Sequence, residues 1–197
     1  MERKMMPVAP LMIEHRVIER MIRVIGFEVA KIEQTGEVDP GFIDTAVDFI
    51  RTYTDHCHHG KEEDILFRDL RNKPLPDDLK IILDELMEEH RQGRRIVGEL
   101  VAAKEEYIRG RHESISKIME CMRYLVNFYP VHIEKEDRHF FLPCMQLFSQ
   151  EEKDSMLKEE FDFDRNLVHN KYRAIVEEAE GITAKRDETI RGSRTGS

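Results

Sequence analysis

The chain has no tryptophan, three cysteines, seven prolines and ten glycines in 197 residues. Cys57, Cys121 and Cys144 form neither an even set nor a CxxC pair, which excludes a disulfide framework and argues against a cysteine zinc ribbon. So little proline and glycine, beside 36% charged and 40% hydrophobic residues, excludes collagen-like, proline-rich and wholly disordered chains. Basic residues are in deficit: 31 Lys and Arg face 40 Asp and Glu, for a net charge of −9. That is the wrong sign for neutralising phosphates along a duplex, so no nucleic-acid partner is expected. Long apolar runs are missing too. The stretch from Met5 to Ile13 is short and broken by Pro7 and Pro10, so it cannot span a bilayer, and no small-residue cleavage site follows it. No membrane attachment and no signal peptide are expected, and a reducing cytoplasm is the expected compartment. The length suits one domain with a sizeable core.

What the sequence does have is helical periodicity, in four long segments separated by breakers. Gln34-Thr35-Gly36 to Asp39-Pro40, Asn72-Lys73-Pro74 to Pro76-Asp77, and Arg109-Gly110-Arg111 are turn chemistry, with Asp39 and Pro40 placed as N-cap and first helical residue. The first segment, about Ala9 to Glu33, sets Leu11, His15, Ile18, Ile22, Ile25, Val29 and Ile32 on one seam. The second, about Gly41 to Arg71, gives Phe42, Ala46, Phe49, Thr52 or Tyr53, His56, His59, Glu63, Leu66 and Leu70. The third reads Leu79, Leu83, Leu86, His90, Gly93, Val97 and Leu100. The fourth reads Ile115, Ile118, Met122, Leu125, Tyr129, His132, Glu136 and His139. Short loops between long helices predict an all-α, up-down-up-down four-helix bundle. A further helix is expected from Ser149, whose spacing to Glu152 makes a capping box, towards Glu180. Residues 1–180 thus read as one helical domain and 181–197 as a disordered tail.

Every seam carries a histidine. With a rise of ~1.5 Å per residue, His15 lies roughly 9 Å above the start of its helix, His59 about 18 Å from the end of its own, His90 about 18 Å from its start and His132 about 14 Å from its end. In an antiparallel bundle these heights coincide in one layer. Glu63 follows His59, and Glu136 follows His132, by four residues, so imidazole and carboxylate share a helix face. Glutamate inside a bundle is costly unless paired or metal-bound. Six N and O donors, His15, His59, Glu63, His90, His132 and Glu136, therefore point to two close metal ions, with iron, manganese or zinc favoured over calcium.

The pattern Glu14-His15, His58-His59-Gly60-Lys61-Glu62-Glu63, Glu89-His90 and His132-Ile133-Glu134-Lys135-Glu136 resembles the hemerythrin-like (HHE cation-binding) domains over about residues 8 to 145. The resemblance implies a four-helix bundle with a non-haem di-iron centre bridged by two carboxylates and an oxo, hydroxo or aqua ligand. His15 and His59 would hold one iron, His90 and His132 the other, and Glu63 and Glu136 would bridge. The oxygen-carrying members have a second histidine four residues after the third-helix one, where this chain has Arg94. They use an aspartate five residues after the last-helix histidine, where this chain offers Asp137. Helical angle favours Glu136, but Pro130 removes a backbone hydrogen bond upstream and leaves Asp137 as the alternative.

Fewer protein ligands leave more open positions, which suits redox chemistry better than clean reversible oxygen carriage. The leading expectation is a module that binds or reduces a small oxidant (O2, peroxide or NO) as sensor, binder or redox protector. A di-iron peroxidase or catalase-like enzyme is the rival, and a metal-stabilised helical interaction module the third reading. His56 and His139 are expected beside the centre as supporting donors. Tyr129 stands one turn before His132, where its phenol could bond a bridging ligand or iron or simply the backbone, and Gly93 one turn after His90, where a missing side chain leaves room for a small ligand or lets the helices pack closely. A protein partner or a homo-oligomer is left open.

Overall fold

A computed structural model describes residues 5–167 of the chain. The expected continuation of the last helix from residue 168 towards Glu180, and the expected disordered tail 181–197, lie outside the described residues. The chain divides into two compact units, Met1–Glu160 and Phe161–Ser197. In the second, residues 161–167 are helical; all that follows concerns the first.

The unit is all-helical, with no strand among the described residues. Helix α1 is Val8–Thr35. It stops at Gly36, whose φ of 69° only glycine adopts freely and whose N–H reaches back to the Ile32 carbonyl. Helix α2 starts where Asp39 accepts hydrogen bonds from the Gly41 and Phe42 N–H groups at 2.9 and 3.2 Å, with Pro40 in the first helical position. It runs as Pro40–Phe49, passes through π-helical stretches Ile50–His59 and Glu62–Phe67, and ends in Arg68–Leu70. Helix α3 is Asp77–Ile108. Helix α4 runs Ile115–Lys135, loosens into π-helical Glu136–Phe140 and closes as Phe141–Met145. Pro130 sits inside it without ending it. Helix α5 occupies 150–160 in this unit. It opens with the expected capping box, in which the Ser149 N–H donates to Glu152 at 2.8 Å and the Glu152 N–H to the Ser149 hydroxyl at 3.2 Å.

Helices α1 to α4 pack in a ring, α1 on α2, α2 on α3, α3 on α4 and α4 on α1. The seams of α1, α3 and α4 are buried as their periodicity predicts, from Leu11 to Ile32, from Leu79 to Leu100 and from Ile118 to Glu136. In α2 the buried face departs from the expected one, and that departure shapes the site. None of the helices among the described residues is long and apolar enough to cross a membrane.

Asp39→Ala removes the cap of α2, which costs about 1 kcal/mol. The thermal midpoint is expected to fall by roughly 2–4 °C, measured by circular dichroism at 222 nm.

Candidate metal centre

Two π-helical stretches set the second helix's contribution. Their i→i+5 hydrogen bonds put more residues in each turn than the 3.6 of an α-helix, so the inward face drifts along the sequence. The buried positions recur every four residues: Ala46, Ile50, Thr54, His58, Glu62, Leu66 and Leu70. His59, next to His58, is also buried. Glu63 is turned outward, with its side chain one-fifth exposed, and Glu62 is fully enclosed.

At the centre the buried donors form two groups, His15, His58, Glu62 and Glu136 in one and His59, His90 and His132 in the other, with the candidate ligand atoms of each within 4.8 Å of one another. Both carboxylates connect the groups. Glu62 sets one oxygen 3.4 Å from His58 Nε2 and the other 3.4 Å from His90 Nε2. Glu136 sets Oε2 3.2 Å from His15 Nε2, and Oε1 3.3 Å from His132 Nε2 and 3.7 Å from His90 Nε2. Four inward Nε2 atoms and all four carboxylate oxygens are buried without a hydrogen-bond partner. Buried polar atoms are seldom left so, and a metal ion is the partner that suits clustered imidazole and carboxylate donors.

The outer edges of four rings are fixed. His15 Nδ1 lies 2.8 Å from Asp137, His58 Nδ1 3.0 Å from Glu14, His90 Nδ1 2.6 Å from Glu63, and His132 Nδ1 2.8 Å from Glu89. Each carboxylate comes from the preceding helix round the ring: α4 to α1, α1 to α2, α2 to α3 and α3 to α4. Each is also gripped by a cation from the same helix as the histidine. Arg16 holds Asp137 and Lys61 holds Glu14, while Arg94 holds Glu63 at 2.7 Å and Lys135 holds Glu89 at 2.6 Å. A carboxylate on Nδ1 selects the tautomer whose Nε2 lone pair faces inward, which readies the ring for a metal.

The electrostatics follow from burial and neighbours. Burial, then the charge of Glu136, push Glu62 well above the usual carboxylate range. Burial acts on Glu136 in the same sense, but His132, His15 and His90 hold it well below that range. Burial alone would lower His15, yet Asp137 and Glu136 hold it up at about 9. Burial, then the neighbouring His90, push His59 down to about 3.

Rings close the centre on several sides: Phe141 stacks on His15 at 5.6 Å, Phe67 on His90 at 5.9 Å and Phe128 on His132 at 5.3 Å. Beside His59 and His90 lies a cavity of about 60 Å³, whose wall includes Asp55, Gly93, Arg94 and Tyr129.

The structure brings His15, His59, His90, His132 and Glu136 together. It sets His59 with His90 and His132, and puts His58 beside His15 where the resemblance implied His59. It seats Glu62 between the two groups, where Glu63 was expected; Glu63 instead supports His90 from outside, because the loosened helix turns the HxxxE register by one residue. Asp137 lies outside Glu136 and bonds His15. His56 and His139 are exposed and take no part. Tyr129 is buried and, like Gly93, lines the cavity. The supporting Glu14 and Glu89 stand immediately before His15 and His90, a position on the flank of the helix that faces its neighbour.

The described residues define a helical fold around a buried histidine and carboxylate cluster that fits a metal site. The model of the hemerythrin HHE cation binding domain matches residues 6–142, and the chain belongs to that family. No curated protein matches it.

The metal-free protein is expected to be most stable near pH 6.5. His59, depressed from 6.5 to about 3, contributes stability that is full above 6.5 and lost as pH falls towards 3. His15, raised from 6.5 to about 9, contributes stability that is full below 6.5 and lost as pH rises through 9. Thermal midpoints across pH check this. An ion held by His15 would take the place of its proton, so the metal-loaded protein would lose the alkaline decline.

Proposed function

We propose that the protein is a non-haem di-iron protein that binds or reduces a small oxidant, O2, peroxide or NO, and serves as a sensor, binding or redox-protection module in the cytoplasm. The observation that carries this reading is the pair Glu62 and Glu136, each dividing its two oxygens between the two histidine groups. His15 and His58 would hold one ion and His90, His132 and His59 the other, with Glu62 and Glu136 shared. Zinc or manganese would fit the same donors, and iron would supply one-electron redox chemistry with room for a small ligand. The up-down-up-down course is proposed with it, supported by each helix packing on its chain neighbour and α4 closing on α1.

The chain's own groups then act in three ways. The outer carboxylates orient the imidazoles, the phenylalanine rings cover the centre on several sides, and the cavity limits what can approach. A cavity of about 60 Å³ admits a molecule of a few heavy atoms. Its wall carries Asp55, Arg94 and His59, hydrogen-bonding groups that favour a polar ligand, which supports peroxidase or catalase-like turnover as the second reading.

Iron loaded anaerobically should bind at about two ions per chain, with Glu62→Gln losing at least one. Glu63→Gln should keep both at an affinity about 10–100-fold weaker. Metal analysis and isothermal titration report these. An optical change on adding O2, peroxide or NO without consumption marks a binder or sensor, and sustained peroxide consumption marks the enzyme. A single zinc, or no metal after reconstitution, would overturn the di-iron reading.

A further inference from the structure

One hydroxyl beside the centre stands apart from its kind. Thr54 is fully enclosed, and its Oγ1 makes no hydrogen bond. A threonine in a helix commonly turns its hydroxyl onto the carbonyl four residues back. Thr35 and Thr45 do so, at 2.9 and 3.0 Å. Thr54 does not. It lies in the π-helical stretch Ile50–His59, on the inward row that runs Ile50, Thr54, His58 and Glu62. An enclosed hydroxyl without a partner destabilises the fold, and a valine would fill the same shape without that cost.

The row sets Thr54 over one ion in particular. Glu62 follows His58 and Glu136 follows His132 by four residues, whereas Thr54 precedes His58 by four and Tyr129 precedes His132 by three. In the antiparallel course proposed above, the two carboxylates therefore approach the centre from one end of the bundle. Thr54 and Tyr129 face it from the other, level with Ile18 and Gly93. The carboxylate end is closed further by Phe67 and Phe140, whose rings meet edge to face at 5.6 Å. At the opposite end Tyr129 sends its hydroxyl towards α3, where a Cβ added to Gly93 would stand 4.0 Å from it. The cavity on that side is lined by Arg51, Asp55 and His59, the row next to that of Thr54, and borders His90. Thr54 instead shares the row of His58, the histidine grouped with His15.

The ion beside His15 and His58 would share Glu62 and Glu136 with its neighbour and have one histidine fewer than the ion of His59, His90 and His132. It is the ion with room for a further ligand, and the end of it that the carboxylates leave uncovered is the end that Thr54 faces.

Resting on the metal-centre reading above, we propose that Thr54 is the hydrogen-bond donor to a small anionic ligand, of the class of peroxide or azide, bound on the ion beside His15 and His58. The O–H donates to a ligand atom that the metal does not hold. A charged acceptor strengthens such a bond, so Thr54 favours a bound anion over a neutral diatomic molecule.

Azide titrated into the di-ferric protein tests this, followed by its charge-transfer absorption and its infrared stretch with metal content alongside. Thr54→Val is expected to keep both ions and to bind azide about tenfold more weakly. Thr54→Ser keeps the donor and is expected to bind azide nearly as the wild type does. The stretch of bound azide should shift between H2O and D2O in the wild type and not in Thr54→Val. In the metal-free protein Thr54→Val should raise the thermal midpoint by about 2–4 °C, because it removes the unpaired hydroxyl, whereas a threonine that only supports the fold would give a fall. The proposal is overturned by equal azide affinity in Thr54→Val and the wild type, by Thr54→Ser binding as weakly as Thr54→Val, or by loss of an ion in Thr54→Val. Should Thr54→Val not fold, the isotope shift in the wild type decides, and its absence is the contrary result. A wild type that takes up no metal defeats the metal-centre reading itself, which the metal analysis separates from a loaded protein in which Thr54 is idle.

Discussion

Everything at the centre depends on a clamp repeated four times: a carboxylate reaches from one helix to the next and is gripped there by a histidine and a cation. The clamp does two things at once. It fastens α1 to α2, α2 to α3, α3 to α4 and α4 to α1, and it turns four imidazole Nε2 atoms inward. Pairing each carboxylate with a Lys or Arg allows it to remain charged at the edge of an apolar bundle, where a lone carboxylate would be strongly disfavoured. Lys61 shows how far this goes, since it is fully buried against Glu14. Packing and ligand orientation are thus one set of contacts, and disturbing the site also loosens the helix contacts around it.

Inside the ring the balance is different. Glu62 and Glu136 are enclosed together, and their opposite displacements show two carboxylates competing for the positive charge available from the histidines. Protons can satisfy only part of that demand. Divalent or trivalent cations held by these groups would reverse the balance, keeping both carboxylates ionised and the imidazoles neutral. The unpartnered oxygens and nitrogens are therefore arranged for cations, and a purely hydrogen-bonded core would have paired them with each other.

How much of this was legible in the sequence varies helix by helix. The seams of α1 and α3, from Leu11 to Ile32 and from Leu79 to Leu100, follow ordinary α-periodicity and could be read directly, as could the caps at Asp39 and Ser149. His15, His90, His132 and Glu136 fall on those regular seams or just before α4 loosens. The difficulty lies in α2, where a period near 3.5 leads from Phe42 through Phe49 and His56 to His59 and Glu63. The alternative was present as a run at spacing four, Ala46 to Leu70, but its middle members Thr54, His58 and Glu62 are polar and do not announce a buried face. Apolar periodicity detects winding only where the buried residues are apolar. Glu14 and Glu89 were equally hidden, since they act on the neighbouring helix and spacing along one helix carries no information about what lies across the groove.

The loosened second helix has a consequence for how the motif is written. His58 with Glu62, and His59 with Glu63, are the same histidine and glutamate pair spelled twice, one letter apart. Composition cannot choose between the copies, and neither can the spacing within each. The choice is made upstream, by the π-helical turns between Ile50 and His59, which act as a reading frame. One copy sets its carboxylate between the two histidine groups, and the shifted copy supplies the outer support for His90 and the ring beside the cavity. A change of one residue in the length of that stretch would amount to a frameshift in three dimensions, exchanging the parts played by four side chains without altering any of them.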